Sequence, residues 1–506
     1  MTIHPILSDH RHNCGHIWNV KEVVEKWQIG HPGDPWNSAD TMQQEQWIDR
    51  FVYTGFSLYG TDFMNSLDGR FGVAYFDAER EVVFLARDWM GEVPLHYCAT
   101  SSRVFVANTV AELREATEED YQYEYVRSSP HGCIQEICIG DALTRGEIDG
   151  GLWDSCHRYF DFHKAVEPYI KEAADRDLSS FGAGLRTLLL QSVAKRLEGS
   201  QKMHLLLSGG LDSLTILTVG KILGIEIHAH TLATDSEGDD VKRAAHFAHI
   251  VQCKHTVHHI SPQEVTSAAQ QAVSIAEDYH LFNIFCAVPM LILGGRLKEM
   301  GISTAYCGEG VNEAVGDYDD WIVWNPHLQR DELMQALRPL HLEQPQKRAS
   351  LCVGGNEFFL KYNRQLGAGL AKHAVSRMVK PFAHWGLQLE CPYFSRELLL
   401  RLVGIPARYA GRGKAKAALV WQTYGRDMVD LGITESEVYS AAKNRFQDGT
   451  GPSRRNMTTL LLKMGIDQRQ ALVRFNQEFG ARLDVDRECR RLTPDAVQSA
   501  QRIAGV

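Results

Sequence analysis

Apolar and polar positions change period near residue 180. Before that point, "GRFGVAYFDAEREVVFLARD" (69–88) holds two apolar runs separated by "DAERE", which predicts two strands joined by a polar turn. "RVFVANTV" (103–110) continues the strand pattern, so residues 1–160 read as β-rich. The charged "KEAADRDLSS" (171–180) predicts a linker into a second domain. From 183, "AGLRTLLLQSVAKRLEG" spaces its apolar residues as a helix does. The strand "KMHLLL" follows, then Ser-Gly-Gly, then the helical "DSLTILTVGKILG". "EIHAHTLA" (226–233) predicts a strand, "DDVKRAAHFAHIVQ" a helix, "AVPMLILGGRLKEMG" (287–301) a long helix and "STAYC" a short strand. Strands alternating with helices predict a parallel sheet covered on both faces.

Composition narrows the function classes. The chain has 506 residues, enough for two to four domains, with 44% hydrophobic and 23% charged residues. A formal net charge of -10 with no long basic run argues against nucleic acid as a partner. The 11 cysteines are dispersed and form no CxxC pair, which reads as reduced thiols in the cytoplasm. "MTIHPILSDHRHNCG" lacks an apolar signal core, and no window approaches a membrane span. A cytoplasmic protein without membrane partners is therefore expected.

The chemistry concentrates in "HLLLSGGLDSLTI" (204–216), where an apolar run ends in glycines, an acid and two serines. In parallel sheets, ligands bind beyond the carboxyl ends of the strands. Gly209 and Gly210 let backbone N–H groups approach an anion, and the following helix adds a positive dipole. Ser208 and Ser213 offer hydroxyls, whereas Asp212 would repel an anion and makes sense as a ligand for Mg2+. The loop suits pyrophosphate plus metal. It is not the longer phosphate loop, because no Lys follows the glycines. The same residues would also serve as a tight turn with a helix cap.

"YCGEGVNEAVGDY" (306–318) repeats this grammar, and "AAKNRFQDGTG" (441–451) places a lysine before a glycine-bounded loop. Together the three stretches resemble the asparagine synthetase family, which includes the β-lactam synthetases. The pyrophosphate motif SGGxDS falls at 208–213, the second motif at Gly308-Glu309-Gly310-Val311-Asn312-Glu313, and the catalytic lysine segment around Lys443. "LDGRFGVAYFDAEREVVFLARDWMGEVPLHY" (67–97) resembles the glutaminase half of the same family. The resemblance implies a remnant Ntn-type αββα domain over 1–170, serving as a wall or homodimer surface. An α/β ATP-pyrophosphatase synthetase domain would follow over 171–506. It implies ATP and Mg2+ as cofactors, with the nucleotide held by Leu207, Ser208, Gly209, Gly210, Leu211, Asp212, Ser213, Leu232, Cys307 and Gly308. Asp212 and Asn312 would hold the metal.

Three departures modify this. The family's nucleophilic cysteine at position 2 is Thr2 here, and "GHIWNVKEVVEKW" (15–27) resembles a segment well inside the usual glutaminase domain, so glutamine use is not expected. Asn312 stands where the family has Asp, keeping a carbonyl oxygen but no charge. Glu309 is the asparagine synthetase choice where β-lactam synthetases carry Tyr, and their partner Glu falls near Ser376. The implied reaction is adenylation of an amino-acid-like carboxylate, then transfer to ammonia or an amine in a specialised biosynthetic pathway. Lys443 would neutralise developing negative charge and Glu309 would take the nucleophile's proton. Glu390 lies two residues before Pro392, where asparagine synthetases carry Arg, and a carboxylate there disfavours plain aspartate. Lys414 and Lys416, in "GRGKAKAALVW", read first as helix-surface residues, with phosphate contact as the alternative. Intramolecular β-lactam-type closure is the alternative, and a non-catalytic nucleotide-binding relative is the third reading.

Overall fold

The computed structural model describes residues 15–29, 41–99, 104–117, 126–138, 156–173, 175–234, 238–315, 375–405, 413–441, 461 and 467–489. The chain divides into two compact units, one of 1–161 with 475–482 and one of 162–474 with 483–506. Among the described residues no helix is long and apolar enough to cross a membrane.

The first unit is built on antiparallel strands. β1 (Gly15–Ile17), β2 (Gly69–Asp77), β3 (Val82–Arg87), β7 (Cys133–Cys138) and β8 (Cys156–Arg158) form one sheet in that order. β4 (His96–Ala99), flanked by β5 (Val104–Ala107) and β6 (Val126–Ser128), forms a second. Ala74, Val83, Leu85 and Ile137 of the first meet Tyr97, Val104 and Val106 of the second in one core. The helix Thr41–Ser66, broken at Gly60, packs on β2, and the helix Val110–Thr117 packs on β5. This is the expected αββα layering. The predicted strand over 103–110 ends earlier, because Val110 already opens a helix whose first turn Thr109 caps through the Glu112 amide.

The second unit holds a five-stranded parallel sheet. β9 (Lys202–Leu206), β10 (Glu226–Ala233), β11 (Lys254–His259), β12 (Thr304–Tyr306) and β13 (Gln388–Glu390) lie in the order β11-β10-β9-β12-β13. The chain winds outward from β9 in one direction and then returns to its other side at β12. The β9/β12 boundary is thus the topological switch point, where ligand crevices open. The helix Leu211–Ile222 packs on β9 and β10, and the helix Asp239–Ile250 on β10 and β11. The stretch 171–180, expected as an interdomain linker, lies inside this unit and spans the end of the helix Phe162–Ala173 and the start of the helix Leu178–Leu197. Asp177 explains the second start: its carboxylate accepts from the Ser180 amide at 2.7 Å as a helix cap.

Candidate active site

Both glycine loops emerge at the switch point. β9 (Lys202–Leu206) leads through the buried Leu207 into Ser208-Gly209-Gly210, after which Leu211 opens a helix capped by Gly210. Gly209 has φ +72°, and a Cβ there would strike the Asp240 carbonyl, so the turn needs glycine twice over. The serines knit the loop: Ser213 Oγ accepts from Ser208 N at 3.2 Å, lies 3.1 Å from Ser208 Oγ and donates to Gly210 O at 3.0 Å. The Gly210 amide donates to Ser208 Oγ at 3.3 Å. Arg243 holds the loop from outside, donating to Gly209 O at 3.3 Å and pairing with Asp240. Helix-start amides have no acceptor within their own helix, and they concentrate positive potential where a phosphate can sit.

The second loop closes on the first. β12 ends at Tyr306, whose hydroxyl donates to Arg196 O at 2.8 Å, and the buried Cys307 leads into Gly308. A Cβ on Gly308 would lie 2.8 Å from both the Asp212 carbonyl carbon and Ser213 N. The two motifs therefore touch backbone to backbone. Leu207 and Leu232 are buried beside them, and Thr231 Oγ1 donates to Leu207 O at 2.6 Å, which locks the neighbouring strand ends together.

Asp212 stands in the first helical turn and is engaged by Lys416 Nζ at 3.0 Å. Lys416 is 4% exposed, so it is not the surface lysine that its helix position suggested. It lies on the stripe Val420, Tyr424 and Met428 of the helix Gly413–Asp430, all buried, and its stem passes along that core to deliver the ammonium to Asp212. A lysine in register with an apolar stripe was the signal available in the sequence. The far end of that helix is tied down by Arg186, which donates to Asp427 at 2.9 and 3.1 Å. Burial pushes the Tyr393 phenol well up, and the Asp212 carboxylate adds to the shift. Tyr393 is therefore a neutral wall of the site.

Glu309 pairs with Arg377, a residue the sequence reading passed over. Arg377 and Lys380, three apart in an apolar segment, are both buried and both paired, Lys380 with Glu277. Glu390 is buried and paired. It is 1% exposed, on the interior side of β13, and pairs with the equally buried Arg196 at 3.2 Å. Gln388 also donates to it. The expected repulsion of an aspartate-like acid by Glu390 is thus corrected, because its charge is already matched by Arg196 of the helix Leu178–Leu197. Lys443 and the side chains of Asn312 and Lys414 lie outside the described residues.

Residues 184–478 match the asparagine synthase family and residues 15–115 match the glutamine amidotransferase domain family. The chain belongs to the asparagine synthase family. It is 23% identical over 410 residues to asparagine synthetase B (glutamine-hydrolysing) of Escherichia coli K12, covering 78% of this chain and 63% of that protein. It is 22% identical over 419 residues to a probable asparagine synthetase (glutamine-hydrolysing) of Dictyostelium discoideum, covering 78% and 65%. The chain thus spans about three fifths of the length of these curated relatives. In this asparagine synthase-family chain, residues 184–478 contain the switch-point crevice, both loops, Arg377 and Lys416.

Proposed function

We propose that this chain is an AMP-forming carbon–nitrogen ligase. A carboxylate oxygen attacks the α-phosphorus of ATP and the bond to pyrophosphate breaks. An ammonia or amine nitrogen then attacks the acyl carbon, the bond to AMP breaks, and a proton leaves the nitrogen. The observation that carries this reading is the contact of Gly308 with Asp212 and Ser213 at the switch point, which unites two loops of the asparagine synthase family in one crevice.

Each residue has a task within it. The loop Ser208–Ser213 and the helix start behind it receive the pyrophosphate, whose charge grows as it leaves. Lys416 orients Asp212 and presents a cation to the same phosphates. Asp212 is a hard oxygen donor at the phosphate end, a donor type that fits Mg2+ held by carboxylate and substrate phosphates, with Asn312 as second ligand. When bound, Mg2+ supplies charge neutralisation on the leaving group. Glu309, its rotamer set by Arg377, accepts the nucleophile's proton, and Lys443 stabilises the oxyanion.

The test is ATP–pyrophosphate exchange over a panel of amino-acid-like carboxylates. Exchange with one acid and AMP as the nucleotide product is expected, and Asp212→Asn should abolish it. ADP as the product would sink the reading. Amide product without any added nitrogen donor would identify intramolecular closure instead.

A further inference from the structure

The parallel sheet carries a second constellation, at the middle of β9 and β10, where His230 is the register partner of Leu206. His204 on β9 is paired in register with His228 on β10, and His230 lies two residues on, so all three imidazoles project from one face. One nitrogen from each lies within 4.8 Å of the others. His204 Nδ1 and His230 Nε2 are 3.1 Å apart. Two ligands at about 2.0–2.1 Å from a tetrahedral Zn2+ stand about 3.3 Å apart, so this pair is already spaced for one ion.

Two of the remaining nitrogens are braced as metal-bound imidazoles usually are. His230 Nδ1 lies 3.0 Å from His258 Nε2, and His228 Nε2 lies 2.8 Å from Thr256 Oγ1. His230 Nε2 faces His204 Nδ1, and Thr256 leaves His228 its Nδ1 for a ligand.

The cluster opens onto a cavity of about 580 Å3 lined by His204, His228, Lys202, Lys254, Tyr306 and Gln388, among others. The starts of β9, β11 and β13 border it, with the chain after the helix Leu281–Glu299. We propose that His204, His228 and His230 bind one borderline divalent ion, Zn2+ by its ligand chemistry, with the fourth coordination position open to this cavity. Three imidazoles with an open fourth position suit Zn2+ better than the oxygen-seeking Mg2+, so this site and the phosphate end of the crevice take different ions. Lys202 and Lys254 at the rim favour water or a small anion as the fourth ligand. Glu226, 3.9 Å from Lys202, offsets part of that charge.

Zn2+ titration of the untagged, chelator-treated full chain by calorimetry tests this, with Co2+ absorption reporting geometry. About one equivalent of Zn2+ per chain and tetrahedral Co2+ bands are expected. His228→Ala, at a half-buried position that folding tolerates, should remove both. Thr256→Val, which only loosens the bracing, should weaken binding by roughly 10–100-fold. His246→Ala, a surface histidine paired with Glu437 outside the cluster, should change nothing. The proposal is overturned if the parent chain binds no Zn2+ beyond a background shared by every variant. It is equally overturned if His228→Ala keeps the tetrahedral Co2+ spectrum, which would leave the histidines as a hydrogen-bonded row only.

Discussion

Gly308→Ala tests whether contact between the two loops sets the catalytic geometry. The added Cβ would lie 2.8 Å from the Asp212 carbonyl carbon and Ser213 N, and 3.0 Å from Asp212 Cβ. Ordinary contact begins at 3.4 Å, so the loops must part by about 0.6 Å, the difference between those distances. The two nearest atoms are backbone in the first turn of a packed helix, and neither can swing away. Overpacking of this kind costs about 1–3 kcal/mol, which leaves a large unit folded. Its effect on chemistry is larger, since a misplacement of about 1 Å can cost about 100-fold in rate. Exchange kcat/KM should fall by roughly 10–100-fold. Gly184→Ala is the control: its nearest neighbour is the mobile end of Arg401 at 3.4 Å, and alanine in a helix gains up to about 1 kcal/mol. Exchange in Gly308→Ala within about twofold of the parent would refute the role given to this contact.

Lys416→Met should leave Asp212 as a partly buried carboxylate without its cation, costing about 3 kcal/mol in urea denaturation, and should weaken ATP binding in calorimetry. Unchanged ATP affinity would place Lys416 outside the phosphate site. Glu390→Gln should destabilise by a similar amount, about 3 kcal/mol, through the orphaned Arg196, yet leave the ranking of acids in the exchange assay unchanged. An altered ranking would return Glu390 to the substrate pocket. His131, pushed from 6.5 down to about 4 chiefly by burial, is neutral in the folded first unit and charged once unfolded below 6.5. Its contribution is complete above pH 6.5 and lost as pH falls towards 4, by up to about 3 kcal/mol at about 1.4 kcal/mol per pH unit. His131→Gln should flatten the urea midpoint across that window, and an unaltered pH slope would contradict this.

Legibility of the chain followed chemistry that is local. β10 was readable to its ends because the apolar content of "EIHAHTLA" is bounded by turn residues. β11, "KHTVHH", was missed, since its histidines look polar until they are stacked against β10. The helix Pro262–Ala276 was also passed over, although Ser261 and Glu264 form a capping box that the sequence spells out. In the crevice, the glycines declared themselves because close approach admits nothing else. Lys416 and Arg377 did not, because what marks them out is the partner each meets, 204 and 68 residues away in the chain. Glu390 was misjudged for the same reason: its charge looked available until Arg196 was found beside it.

The helix Gly413–Asp430 behaves as a lever. Its first turn carries the cation that meets Asp212, and its last turn is held by Arg186 through Asp427, about 16 Å away at about 1.5 Å per residue. Arg186 is 38% exposed and Asp427 24%, so in any catalogue of variants this pair would be filed among harmless surface changes. Under the function proposed above, it belongs with the active site. A rigid rod passes displacement at one end to the other, so the axial seat of Lys416 is inherited from an ion pair at the far end of its helix. Clinical or engineering scores that weight residues by distance from the ligand would rank Asp427 low, and mechanics ranks it beside Asp212.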